Sequence, residues 1–101
     1  MSVVKIENGN FEKEVLNSEK TVVVDFYADW CGPCKMMAPV IDELANENSN
    51  IKVCKVNVDD NRELAINYNI MSIPTIIIFK NGNIGKKFIG FTSKDDILKE
   101  I

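Results

Sequence analysis

The chain has 101 residues, of which 46% are hydrophobic and 27% charged, and its formal net charge at pH 7 is −3. This length and balance favour one compact domain over residues 1–101. The negative charge and the lack of a basic patch argue against nucleic-acid binding. We see no signal peptide, and no apolar run approaches the ~20 residues that span a membrane, so we expect a cytoplasmic protein without membrane contacts.

The hydrophobic pattern predicts three elements before the first cysteine. A short strand over residues 3–6 ends at the turn dipeptide Asn8-Gly9, and Asn10 is a candidate N-cap for a helix through residue 16. A run of β-branched and aromatic residues follows over 21–27. Such a run predicts a strand that is buried on both faces.

The middle of the chain predicts a helix, a strand and a second helix. Apolar residues at helical spacing indicate a helix from residue 31 or 34 to residue 47, with Pro33 in its first turn, where a missing N–H does no harm. A strand follows over 51–58, and Asp60 or Asn61 is able to cap a short helix through residue 68.

The last third predicts a hairpin and a closing helix. Pro74 precedes a strongly β-forming run over 75–80, and the turn dipeptide Asn81-Gly82 leads into a strand over 86–89. Thr92 or Ser93 then opens the last helix. The full order is βαβαβαββα, which predicts an α/β fold in three layers, with helices on both faces of a central mixed sheet.

Two cysteines stand three positions apart in residues 29–35, which read DWCGPCK. Cys31 follows the buried strand and opens a helix, where free backbone N–H groups and the helix dipole favour a thiolate. The thiolate is the attacking species in disulfide exchange, and Cys34 lies one turn further on, close enough to attack a mixed disulfide on Cys31. The pattern predicts a redox-active pair.

Other uses of the cysteines are less favoured but stay open. A structural zinc site usually has four Cys or His ligands, whereas this chain has three cysteines and no histidine, so we expect no metal site unless chains share one. A structural disulfide is rare in a reducing cytosol. Cys54 lies in a predicted inner strand and is expected to be a small buried hydrophobic residue, with a regulatory surface thiol as the alternative.

Asp25 is the one carboxyl group within the apolar run 21–27. The valine and aromatic residues on either side of it indicate a buried position and argue against a water-facing one. Burial raises the pKa of a carboxyl group, because desolvation disfavours the charged form. A carboxyl group poised near neutrality is able to take the proton of Cys34 when that thiol attacks.

The segment VVVDFYADWCGPCK resembles the active-site segment of the thioredoxin family. The segments KVNVDDN, SIPTIIIFKNG and FIGF resemble the later signatures of that family, in the same order and at the same spacing. The resemblance covers the whole chain. It implies the thioredoxin fold and the activity of a general protein-disulfide reductase, a dithiol electron carrier that cycles Cys31 and Cys34 and binds no cofactor.

The resemblance also implies partners. A thioredoxin reductase linked to NADPH or to ferredoxin would supply the electrons. Ribonucleotide reductase, peroxiredoxin and methionine sulfoxide reductase are the client proteins expected of the family, and the protein would act as a monomer.

The resemblance also implies roles for further residues. Asp25 would relay the proton of Cys34, with Lys55 of the next strand near its carboxylate. A cis peptide bond before Pro74 would aim the backbone of Ile73 at an incoming peptide, which would pair with it like an added strand. Met71 and Ser72 would line the groove beside it and tune partner preference. The surface that binds clients around Cys31 would comprise Trp30, Ile73, Pro74 and Gly90.

The dipeptide Gly32-Pro33 bears on the direction of electron flow. Related oxidants often carry a histidine in this dipeptide, which stabilises the thiolate and makes the disulfide more oxidising. Gly32-Pro33 lacks that donor and favours a reductant over an oxidase or isomerase of secreted proteins. The alternative from another class is a binding module that uses the fold as a scaffold, with incidental cysteines.

Overall fold

Strand β2, Thr21–Tyr27, runs through the centre of a five-stranded sheet in the computed structural model, which describes residues 3–7 and 9–101. The other strands are β1 Val4–Lys5, β3 Ile51–Asn57, β4 Thr75–Lys80 and β5 Asn83–Ile89. Within the sheet the strands stand in the order β1-β3-β2-β4-β5. The helices are a short π-helix Glu12–Leu16, then α1 Gly32–Glu47, α2 Arg62–Asn67 and α3 Lys94–Leu98.

The sheet is mixed, as predicted. Strand β2 pairs in parallel with β3 and antiparallel with β4, while β1 extends the parallel side and β5 the antiparallel side. The parallel neighbours β2 and β3 are joined through α1, because parallel strands need a crossover connection, whereas the antiparallel strands β4 and β5 are joined through a tight turn. The predicted α/β fold and its element order are confirmed.

Side chains of β2 point alternately into two hydrophobic cores. Val22, Val24 and Phe26 pack against the π-helix side of the sheet, whereas Val23 packs with residues of α1 and α3 on the other side. All are fully buried or nearly so, which confirms the prediction that this strand is covered on both faces. Because alternate residues share a face, Asp25 lies on the α1 side with Val23.

Two predicted side-chain caps are wrong, and both are asparagines with competing partners. Asn10 accepts a hydrogen bond from the Glu7 N–H at 2.8 Å and so closes the turn before the π-helix, which begins at Glu12. Asn61 does occupy the N-cap position of α2, but its amide donates to the Asn57 carbonyl at 3.0 Å and caps no helix N–H. Asn side chains hydrogen-bond to nearby backbone in several ways, and spacing alone does not select one. Asn8 of the predicted turn lies outside the described residues.

The hairpin β4–β5 has a two-residue turn at Asn81-Gly82, and β5 begins at Asn83, three residues before the predicted start. Both turn residues have positive φ, 53° and 81°, as the tight turns that match strand twist require. A Cβ on Gly82 would stand 2.9 Å from the Leu16 carbonyl oxygen, so glycine is needed there for space as well as for φ.

Of the two candidate caps for α3, the structure selects Ser93. Its Oγ accepts a hydrogen bond from the Asp96 N–H at 3.1 Å, while Ile97 is fully buried under the sheet. Lys94 ties the same helix to α1 through ion pairs with Glu43 and Glu47 at 3.0 and 2.8 Å.

We expect Ser93→Ala to lower the free energy of unfolding by about 1 kcal/mol, because the cap hydrogen bond is lost. Ser49→Ala is the matched control, since Ser49 is exposed in a turn and its side chain makes no hydrogen bond within residues 3–7 and 9–101. Urea unfolding of both variants measures the difference. Equal stabilities would mean that the Ser93 hydroxyl does not stabilise α3.

Candidate active site

The cysteine pair lies where β2 ends and α1 begins. Strand β2 ends at Tyr27, three residues form a loop, and Cys31 takes the N-cap position of α1 with extended backbone angles. Cys31 and Cys34 form a disulfide with their Cα atoms 5.2 Å apart. The pair that the sequence predicts is therefore brought together, with Pro33 in the first turn of the helix as expected.

The sulfur of Cys31 has a polar surrounding that suits negative charge. The Cys34 N–H donates a hydrogen bond to Cys31 Sγ at 3.2 Å, and no acidic residue lies in the first turn of α1. On the other side, Cys31 Sγ lies 3.7 Å from the Ile73 carbonyl oxygen, which is a hydrogen-bond acceptor and does not itself stabilise a thiolate. A helix N-terminus and a backbone N–H both stabilise a thiolate, so the reduced pair would carry its charge on Cys31.

Asp25 is a buried carboxyl group on the same face of the sheet as α1. Its side chain is 4% exposed, and its Oδ1 atom has no hydrogen-bond partner within residues 3–7 and 9–101. Burial raises the pKa of Asp25 from 3.8 to about 7, and the positive charge of Lys55 opposes part of that rise. Lys55 stands opposite Asp25 in the β2–β3 register, so the predicted pairing of the two residues is present.

A cavity of about 130 Å³ connects Asp25 with Cys34. It is large enough to hold water molecules, and the carboxyl group and the lysine supply polar partners for them. Cys34 and Asp25 therefore line one cavity that is partly open to solvent, where water molecules could link the thiol to the carboxyl group. Its lining residues are Asp25, Tyr27, Cys34, Ala38, Ile41, Asp42 and Lys55.

The four residues predicted to bind clients converge beside Cys31. Trp30 and Ile73 line one pocket, and the Gly90 N–H donates to the Pro74 carbonyl at 2.8 Å. Trp30 is 70% exposed, which excludes the alternative that it is a core residue. The Ile73–Pro74 peptide bond is cis, as the resemblance implied, and Gly90 has a φ of +91°.

Two polar residues of the site, Asp59 and Asn57, were not predicted. The Trp30 indole N–H donates to Asp59 Oδ2 at 2.8 Å, which fixes the ring over the loop after β3. Asn57 orders that loop, because its Oδ1 accepts hydrogen bonds from the N–H groups of Asp59 and Asp60 at 2.9 and 3.4 Å. The available signal was the polar run NVDDN at the end of a buried strand, near the same sheet edge as the cysteines.

Cys54 lies apart from the site in β3. Its side chain is fully buried, and burial raises the pKa of its thiol to about 12. The thiol therefore stays protonated and unreactive at neutral pH. The interpretation of Cys54 as a small buried hydrophobic residue is confirmed.

Within residues 3–7 and 9–101, no group of three or more His, Cys, Asp or Glu side chains is placed to hold a metal ion. None of the helices in this part of the chain is long and apolar enough to cross a membrane.

Comparison with known proteins agrees with this geometry. A family model described as thioredoxin matches residues 2–101. The chain belongs to the thioredoxin family. It is 45% identical over 101 residues to "Thioredoxin" of Mycobacterium tuberculosis (strain H37Rv), a match that covers 99% of this chain and 87% of the relative.

Other relatives are similar along most of the chain. "Thioredoxin" of Pseudomonas aeruginosa is 42% identical over 96 residues, which cover 94% of this chain and 89% of that protein. "Thioredoxin M5, chloroplastic" of Oryza sativa is 53% identical over 93 residues, 91% of this chain and 54% of that protein. The protein is thus a thioredoxin-family oxidoreductase, and its Cys31–Cys34 pair fits dithiol–disulfide exchange.

We expect Asp25→Asn to stabilise the disulfide form in a pH-dependent way. Between about pH 4 and pH 7 the unfolded chain has Asp25 ionised while the folded protein keeps it protonated. The folded state then binds more protons, so stability falls as pH rises through this window. Asparagine does not ionise. The variant should gain up to roughly 4 kcal/mol at about pH 8 and little at about pH 4.

Urea unfolding at the two pH values measures this gain. Asp29→Asn is the control, because Asp29 is exposed beside the same motif and its replacement should change stability little at either pH. A gain from Asp25→Asn that is the same at both pH values would show that burial does not raise the pKa of Asp25.

Proposed function

We propose that the protein is a general protein-disulfide reductase that carries electrons from a reductase to the disulfides of client proteins. The observation that carries this proposal is the Cys31–Cys34 disulfide at the N-terminus of α1, with the Cys34 N–H directed at Cys31 Sγ. This arrangement gives the two sulfurs unequal roles. Cys31 is the attacking residue and Cys34 the resolving one.

In the first step the Cys31 thiolate attacks one sulfur of a client disulfide. A bond forms between Cys31 and that sulfur, the client disulfide bond breaks, and the other client sulfur leaves as a thiolate. The Cys34 N–H and the helix dipole stabilise the Cys31 thiolate before the attack. The product is a mixed disulfide between the protein and its client.

In the second step Cys34 resolves the mixed disulfide. Asp25 takes the proton of Cys34 through the shared cavity, and the resulting thiolate attacks Cys31 Sγ. The Cys31–Cys34 disulfide forms, and the second client sulfur leaves with its electron pair. A carboxyl group with a pKa of about 7 suits this task, since it accepts and returns a proton near neutral pH. Lys55 supports the ionised form of Asp25.

Clients would bind on the surface made by Trp30, Ile73, Pro74 and Gly90. The Ile73 carbonyl, 3.7 Å from Cys31 Sγ, is placed to accept a backbone hydrogen bond from an extended client segment. Such pairing is independent of the client's side chains, which is consistent with a reductase of broad specificity. Gly32-Pro33 adds no charge beside Cys31 and favours the reducing direction.

The partners remain proposals drawn from the family. A thioredoxin reductase linked to NADPH or ferredoxin would restore the dithiol. Ribonucleotide reductase, peroxiredoxin and methionine sulfoxide reductase are the expected clients. We also propose a cytoplasmic location, because an unpaired cysteine such as Cys54 suits a reducing compartment. The monomeric state is proposed from the family resemblance alone.

Reduction of insulin by dithiothreitol tests the proposal. We expect the protein to accelerate the reaction at catalytic concentration, since Cys31 and Cys34 turn over. Cys31→Ser should abolish the acceleration. Cys34→Ser should lose most of it. When the reduced variant is mixed with insulin after the dithiothreitol has been removed, it should hold insulin chains as a mixed disulfide on Cys31, which mass spectrometry detects.

Cys54→Ala is the matched control and should keep the activity, because Cys54 is buried away from the site. If the unaltered protein gives no acceleration, the fold serves as a binding scaffold. If Cys31→Ser keeps the activity, the roles assigned to the two cysteines are wrong.

A further inference from the structure

Met71 is the most exposed large apolar side chain of the described residues, at 86%. It lies two residues before Ile73, whose carbonyl approaches Cys31 Sγ. Its side chain forms one wall of a pocket of about 180 Å³ beside the redox pair. The lining residues of this pocket are Trp30, Val58, Ile70, Met71, Ser72 and Ile73.

The other two methionines within the described residues provide a comparison. Met36, on α1, is 64% exposed but does not line this pocket. Met37, the next residue, is fully buried in the core under the sheet. Among the described residues, one exposed thioether therefore lines this pocket, one exposed thioether lies outside it and one thioether is buried.

We propose that Met71 is a site of reversible oxidation that weakens client binding. The inference rests on the proposed function, because it assigns this pocket to clients. Hydrogen peroxide is the oxidant: the thioether sulfur of Met71 gains one oxygen and loses two electrons, the O–O bond breaks, and water is released. The product is methionine sulfoxide.

Oxidation changes the chemistry of the pocket wall without touching the cysteines. The thioether is a flexible apolar group that adapts to irregular apolar surfaces, whereas the sulfoxide is strongly polar. A client side chain that covers the sulfoxide removes it from water without supplying a hydrogen-bond partner. Burying one polar group without a hydrogen-bond partner weakens binding, so we expect the KM for a protein client to rise about fivefold.

The change is reversible by a known class of reaction. Methionine sulfoxide reductases remove the oxygen as water while a dithiol is oxidised to a disulfide, with one enzyme for each sulfoxide epimer. The dithiol of this protein is a chemically suitable electron source for that step. Peroxide would thus slow the reduction of clients until a sulfoxide reductase, supplied with electrons by the dithiol of this protein, converts Met71 back to the thioether.

The experiment oxidises the disulfide form of the protein with hydrogen peroxide. In this form Cys31 and Cys34 are protected as the disulfide, and Cys54 is buried. Catalase removes the peroxide, and peptide mass spectrometry measures oxidation at each methionine. The KM and kcat for insulin are then compared with the rate on a small aromatic disulfide, which is too small to require the pocket.

We expect Met71 to oxidise most readily, Met36 next and Met37 least. Oxidised protein should show the fivefold rise in the KM for insulin, with an unchanged kcat and an unchanged rate on the small disulfide. Met71→Leu should abolish the effect of peroxide, whereas Met36→Leu should keep it. Treatment with both epimer-specific sulfoxide reductases should restore the KM.

Two results would overturn the inference while leaving the proposed function intact. One is an unchanged KM after complete oxidation of Met71. The other is a rise in the KM that persists in Met71→Leu. Failure of the untreated protein to reduce insulin is a separate result, and it would overturn the proposed function itself.

Discussion

The burial of an ionisable carboxyl group on the central strand is the constraint on which the site depends. Asp25 is 4% exposed between Val24 and Phe26, and the neutral form is favoured until about pH 7. An aliphatic residue would be more stable there, so the chain keeps a destabilising group at the centre of its sheet. Cys34 lines the same cavity as Asp25, and this shared cavity is what gives the buried carboxyl group a role in the proposed mechanism.

The same strand also sets the geometry of the sulfurs. Strand β2 ends at Tyr27 and the chain passes into α1 within a few residues, which puts Cys31 at the helix N-cap and Cys34 one turn inward. Two further loops lie beside Cys31 at this end of the sheet. The loop after β3 holds Trp30 through Asp59, while the loop before β4 brings Ile73 to Cys31. In the proposed function, proton transfer would thus take place between β2 and α1, and clients would bind at the loops beside Cys31.

Much of the fold and of the candidate site could be predicted from the sequence, because these features depend on local sequence patterns. The run of apolar residues around Asp25 predicts both a central strand and a buried carboxyl group, and the spacing of the cysteines predicts a pair at a helix start. The hydrogen bond from Trp30 to Asp59 joins residues 29 positions apart, and no local pattern encodes such a contact. The predicted side-chain caps at Asn10 and Asn61 are wrong because an asparagine side chain has several backbone partners within reach, and spacing does not show which one it takes.

We propose that Asp25 takes the proton of Cys34, and this transfer can be followed by stopped-flow reaction of the reduced protein with a chromogenic aromatic disulfide. Attack by Cys31 releases one coloured thiol, and resolution by Cys34 releases the second in a slower phase. We expect the rate of the second phase to rise through about pH 7 in the unaltered protein and to lose this inflection in Asp25→Asn, while the first phase keeps its pH profile in both. Identical second-phase profiles in the two proteins would show that Asp25 does not take the proton of Cys34.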